Sequence, residues 1–160
     1  MLYKRVLLAK PKGRTGLGFA SDLIPIGLEY IAASIENVVE EVHIVDMELE
    51  RHSFKYFLDL FCPDLVGITM SATDHKEGLR LAKIAKKQGI VTILGGYHPT
   101  LVPDELLSHS QVDMILRGEG ENAMKELVQK GCPEGVLGIS YKKNEKVIHN
   151  EDRPMIEDLD

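Results

Sequence analysis

The sequence predicts an α/β fold: a flavodoxin-like, doubly wound sheet of five parallel strands in the order 2-1-3-4-5, with a C-terminal β-hairpin appended. Three observations predict it. Short apolar runs rich in Val, Ile and Leu alternate with longer segments of helical periodicity. The runs are apolar on successive residues, as strands covered on both faces must be. The alternation repeats five times, and such repeats close by right-handed crossovers onto one parallel sheet.

Val6-Leu7-Leu8-Ala9 is the first strand. The first helix spans Ile26 to Asn37, with Leu28, Ile31, Ala32 and Ile35 on one face and Pro25 at its start, where no hydrogen bond is lost. Val42-His43-Ile44-Val45 is strand two, and Ser53 to Phe61 is a short helix stopped by Pro63. Leu65-Val66-Gly67-Ile68-Thr69 is strand three, followed by a helix from Lys76 to Lys87. Strand four is residues 90–94, a fourth helix runs from Asp104 to Ser108, strand five is 112–116, and a fifth helix runs from Glu121 to Gln129. Gly138-Ile139-Ser140-Tyr141 and Val147-Ile148-His149 flank a polar turn at Asn144 and form the hairpin. One domain of residues 1–150 is expected, with 151–160 an acidic linker that lacks a packing pattern.

Composition excludes several classes of function. Hydrophobic residues make up 44% of the 160 residues and charged residues 28%, which is globular rather than disordered. The net charge of −6, with basic residues scattered, does not make a nucleic-acid platform. No apolar run approaches the ~20 residues of a membrane span. A strand begins almost at Met1, leaving no room for a signal peptide. Cys62 and Cys132 have no metal-site or disulfide-framework spacing, and a reducing cytoplasm is the expected location.

Ligands of such a sheet bind at the carboxyl ends of the strands, where strand order reverses, so four loops matter: 10–24, 70–75, 95–103 and 117–121. The first is long and holds Gly13, Gly16 and Gly18. Its Gly16-Leu17-Gly18-Phe19-Ala20-Ser21 resembles a dinucleotide fingerprint, with Asp46 as a ribose-binding acid. However, the helix starts only at about Pro25 and the acid lies thirty residues past Gly16, not about twenty. In the second loop, Ser71 and Thr73 offer hydroxyls to a polar ligand; Thr73 or Asp74 could equally cap the helix, with Glu77 completing a capping box. In the third, Gly95 and Gly96 leave the backbone bare beside Tyr97 and His98, while Thr100 could cap the next helix. In the fourth, Glu119 and Glu121 suit the following helix N-terminus.

Five stretches in register carry a resemblance over almost the whole chain: IPIGLEYIAASIE (24–36), DLVGITMSAT (64–73), GGYHPTLVPDELL (95–107), VDMILRGEGE (112–121) and GISYKKNEKVIHNEDRPMIEDLD (138–160). They are similar to the N-terminal cobalamin-binding domain of class B radical S-adenosylmethionine enzymes. The resemblance implies cobalamin bound base-off, its nucleotide tail threaded into the sheet. The usual Ser-x-Leu after strand three is replaced by Ser71-Ala72-Thr73, and the usual Gly-Gly after strand four is Gly95-Gly96. Ser71 is then the hydroxyl expected to meet the displaced benzimidazole. The implied contacts are Pro11, Lys12, Gly13, Thr15 and Gly16 beneath the corrin; Ser71, Ala72, Thr73, Gly95, Gly96, Tyr97 and His98 around the tail; and Arg117, Gly118 and Glu119 beside it. No protein ligand to cobalt and no catalytic residue is expected. The implied partner is a radical domain holding a 4Fe-4S cluster and S-adenosylmethionine, whose cysteine motif is absent from these 160 residues. Nucleic acid and membrane are not expected partners.

Two other functions compete. A stand-alone corrinoid methyl shuttle usually offers a histidine in Asp-x-His-x-x-Gly after strand one; the nearest approach, TDHKEG at 73–78, follows strand three and lacks the aspartate. A flavin- or dinucleotide-binding module of the same fold would need a hydroxyl-rich phosphate loop after strand one, where Thr15 stands nearly alone.

Overall fold

The computed structural model describes residues 2–13, 24–144 and 146–156. The elements in chain order are β1 (Arg5–Lys10), α1 (Ile26–Ile35), β2 (Glu41–Asp46), α2 (Phe54–Phe61), β3 (Leu65–Thr69), α3 (His75–Lys87) and β4 (Val91–Gly95). They continue with α4 (Tyr97–Leu101), α5 (Pro103–Leu107), β5 (Met114–Leu116), α6 (Glu121–Lys130), β6 (Ile139–Lys143) and β7 (Lys146–His149). The sheet order is β2-β1-β3-β4-β5-β6-β7. The first five strands pair in parallel, in the expected 2-1-3-4-5 order.

The C-terminal hairpin is more than an appendage. β6 pairs antiparallel with β5, Met114 opposite Tyr141 and Leu116 opposite Ile139, so the hairpin lengthens the sheet to seven strands. Its inner face is apolar, with Ile139 and Tyr141 buried. A strand so placed covers the β5 edge, which would otherwise offer unpaired N–H and C=O groups.

The pleat sorts the strand residues onto two faces. Leu7, Val66, Ile68, Leu94 and Ile115 pack under α2, α3 and α5. Leu8, Leu65, Ile93, Met114 and Leu116 pack under α1 and α6. The two cores explain why the strands read as continuous apolar runs.

Local chemistry sets the helix ends. Ser53 Oγ accepts from the Tyr56 N–H to start α2, and Cys62, in a left-handed turn ahead of Pro63, stops it. At α3 the expected capping box is absent. The Asp74 carboxylate accepts instead from the Ser71 N–H at 2.7 Å, and Glu77 pairs with Arg80. Between β4 and α5, where a loop was expected, the chain makes the extra short helix α4. Tyr97 and His98 are therefore helical residues rather than loop residues.

Candidate functional site

A cavity of about 180 Å³ opens at the carboxyl ends of the parallel strands, between the sheet and helices α1 and α6. Leu8, Ile31, Ile93, Leu116 and Met124 make its walls. Its remaining lining is notable for glycine: Gly27, Gly67, Gly95, Gly96, Gly118 and Gly120. β1 lies between β2 and β3, so this is the switch point where the chain winds away in both directions.

The glycines differ in what holds them there. Gly96 sits at φ +104°, and a Cβ on it would lie 2.8 Å from the Met70 carbonyl oxygen; its backbone conformation admits glycine alone. Gly67, in the middle of β3, would put a Cβ 2.8 Å from the Leu8 side chain. Gly95 is otherwise. A Cβ there meets nothing nearer than Leu116 Cβ at 3.8 Å. Neither backbone strain nor packing requires glycine at 95, and its bareness leaves open space at the strand end.

The hydroxyl-bearing residue in the cavity lining is Thr69. Residues 67, 69, 93 and 95 share the sheet face that carries the cavity, and Thr69 is part of its lining while Ser71 is not. The Ser71 hydroxyl lies 2.9 Å from that of Thr73, and both belong to the turn entering α3. The Ala72 carbonyl accepts from His75 Nδ1 at 2.7 Å. His98 packs its ring against His75, centroids 5.4 Å apart, and its buried Nε2 has no partner among the described residues. Tyr97 is 89% exposed.

Thr100, read from sequence as a cap, joins two of the loops. Its hydroxyl donates to the Gly96 carbonyl at 2.8 Å and accepts from the Gly118 N–H at 3.1 Å. Beyond it, Gly96, Tyr97, Arg117, Gly118 and Glu119 line a second, more open groove of about 670 Å³, together with Asp152 and Met155. Residues 95–97 and 117–119 thus meet in space, whereas His98 lines neither opening. Of the first-loop residues, Pro11 is buried, Lys12 is exposed, and the Gly13 N–H donates to Glu48 at 2.9 Å. Thr15 and Gly16 lie outside the described residues. Asp46 forms an ion pair with Lys10 at 3.0 Å and accepts from the Glu48 N–H, so its carboxylate is already engaged.

Sequence reasoning missed Gly67, Thr69 and Gly120. The signal was available for one of them: a glycine inside an otherwise apolar strand marks a close approach of something to the backbone.

These features fit a flat apolar group entering from the strand ends. A dry aliphatic cavity of about 150 Å³ takes a benzene ring. Here the walls are largely aliphatic, glycines crowd the entrance, and Thr69, Glu119 and Glu121 are the polar members of the lining.

Comparisons with known proteins point to one family. Residues 16–128 match the B12 binding domain family. An uncharacterized methyltransferase of Pyrococcus horikoshii is 36% identical over 146 residues, covering 85% of this chain and 32% of that protein. The hopanoid C-3 methylase of Methylococcus capsulatus is 33% identical, covering 73% and 25% respectively. The anaerobic magnesium-protoporphyrin IX monomethyl ester cyclase of Rubrivivax gelatinosus is 31% identical, covering 98% and 31%. This chain therefore spans a quarter to a third of the length of these relatives. Among solved structures, the cobalamin-dependent S-adenosylmethionine radical enzyme OxsB, with aqua-cobalamin and S-adenosylmethionine bound, shares the fold at a TM-score of 0.73 and 16% identity over 95% of this chain and 23% of its own. On the match of residues 16–128 and the similarity to these relatives, the chain belongs to the B12 binding domain family.

Proposed function

We infer that the chain binds cobalamin base-off, as the cofactor module of a longer radical S-adenosylmethionine enzyme of methyltransferase or cyclase type. The observation that carries this reading is the glycine-edged cavity at the switch point. The relatives' names support the reaction class: methyltransferase, methylase and cyclase.

When bound, cobalamin supplies a cobalt centre able to carry a methyl group or an electron. The chain's own residues bind and orient it. Leu8, Ile31, Ile93, Leu116 and Met124 exclude water from the cavity and favour an aromatic ring there through apolar burial. Thr69 offers a hydrogen bond to a ring nitrogen. Gly95, Gly96 and Gly118 let a chain of atoms pass against bare backbone. Nothing in this role needs an acid, base or nucleophile from the module itself.

The test is titration of the purified chain with hydroxocobalamin, followed by gel filtration. One corrin should be retained per chain, and its spectrum should show loss of benzimidazole coordination. Folded protein that emerges colourless would overturn the reading.

A further inference from the structure

Residues 151–156, expected to belong to a linker without packing, are fastened with Asn150 to the domain at several points. The Asn150 side chain donates to the Pro133 and Val136 carbonyls at 2.7 and 2.8 Å. The Glu151 carbonyl accepts from the Gly138 N–H at 2.8 Å. Arg153 pairs with Glu126 and donates to the Leu137 carbonyl.

Three further fastenings come from the loop between β5 and α6. The Arg117 guanidinium holds the Asp152 carboxylate at 2.7 Å and the Asn150 carbonyl at 2.5 Å. Glu119 accepts from the Ile156 N–H at 2.6 Å. The same loop presents Gly118, Glu119 and Gly120 to the cavity. Gly118, at φ +71° with no atom near the position of a Cβ, leaves the loop room to adjust. One short loop thus faces the ligand with its backbone and holds the C-terminal segment with its side chains.

We propose that segment 150–156 is a strap thermodynamically coupled to the cavity, so that a bound ligand tightens the strap and a fastened strap tightens ligand binding. This rests on the cobalamin reading above and adds a regulatory element to the same site. The physical reason is shared ordering. A ligand lying against Gly118–Gly120 fixes the loop, and the strap then docks on an anchor already ordered. Coupling of this kind is reciprocal: whatever factor the ligand adds to strap closure, the strap adds to affinity. The strap's anchors are built to transmit it. Arg117 is only 15% exposed, so it is held in the body of the domain, whereas Asp152 of the strap is 83% exposed and can leave.

Amide hydrogen exchange on the chain, with and without hydroxocobalamin, tests the coupling. The Gly138 and Ile156 N–H groups report directly, because their acceptors lie across the strap contact. Their exchange should slow severalfold on saturation. Two variants leave every cavity side chain in place. Asp152→Asn removes the ion pair, and Ile156→Pro removes the N–H that Glu119 accepts. Each should weaken hydroxocobalamin binding by roughly fivefold, the lower end of ordinary coupling, with thermal unfolding of the ligand-free protein little changed. A complex that forms normally while strap exchange is unaltered would overturn the coupling and leave the cobalamin reading intact. Both variants binding like the unmodified chain would do the same. A folded chain that forms no complex at all would remove the cobalamin reading, and the coupling with it.

Discussion

At the residue scale, the decisive distinction is between a side chain near the cavity and one aimed into it. Thr69 and Ser71 are two residues apart, and sequence pattern favours the serine as the ligand's hydrogen-bond partner. The structure places Thr69 on the cavity face, while Ser71 lies past the strand end, its hydroxyl beside Thr73. Thr69→Val keeps shape and removes the hydroxyl; it should weaken cobalamin binding by about 1 kcal/mol, the scale of one neutral hydrogen bond. Ser71→Ala should leave the dissociation constant unchanged within error. The reverse ranking in a parallel titration would return the role to Ser71. The paired glycines separate in the same way. Gly95→Val puts its side chain into open space and should cost about tenfold or more in affinity, roughly 1.4 kcal/mol, while the melting temperature holds. Gly96→Val meets the Met70 carbonyl at φ +104° and should lower the melting temperature before any effect on binding can be read. Equal melting temperatures for the two variants would contradict this assignment of strain.

At the scale of elements, β4 and β5 are joined by a polar contact as well as by their ladder. Thr92 is fully buried, and its N–H donates to Asp113 at 3.0 Å while its hydroxyl donates to the Gln111 carbonyl at 2.7 Å. Lys86 of α3 pairs with the same carboxylate at 2.5 Å. Asp113→Ala leaves a buried N–H unpaired and should cost about 1–3 kcal/mol of stability, measurable by urea unfolding. A loss within about 0.5 kcal/mol, the range of an ordinary surface change, would mean that water or another group takes over.

Elements of this kind were unequally legible in the sequence. β1, β3 and β4 were plain, because a strand buried on both faces must be apolar throughout. The hairpin was legible as two strands but not as a sheet edge, since its pairing with β5 is set by distant residues such as Tyr141 and Met114. α4 was hidden by Gly96 and Pro99, which signal a turn, although a proline near the start of a helix costs nothing. The glycine pair and the loops around it could be read as a ligand entrance, but which hydroxyl faces inward depends on the pleat register of β3. The strap was invisible, because it is held by Arg117 and Glu119, far away in sequence, and not by any apolar period.

At the scale of the whole molecule, the two faces of the sheet divide the work, and this bears on how cobalt would be held. All six histidines are described, and none lines the cavity. His43 and His52 stack on Phe61 and Tyr56, and His149 bridges Ser140 and Asp104. His109 lies in the turn after α5, where its carbonyl accepts from Lys142. His75 and His98 are the remaining candidates. His75 is chemically able to ligate: a carbonyl oxygen only accepts, so Nδ1 carries the proton toward Ala72 and Nε2 keeps its lone pair in the neutral ring. Its position argues against the role. α3 packs through Leu81, Ala82 and Ala85 on the face of β3 that carries Val66 and Ile68, whereas the cavity lies on the face of Gly67 and Thr69. His98 sits against His75 and is tied to the Met70 carbonyl through its own N–H. Among the described residues, no carboxylate is hydrogen-bonded to either ring, as one commonly is to a metal-bound imidazole. Cobalamin reduced in the complex should therefore give an electron paramagnetic resonance spectrum without nitrogen superhyperfine splitting. A three-line splitting lost in His75→Ala or His98→Ala would place the lower face of the corrin over α3 and move the chain toward the methyl-shuttle class.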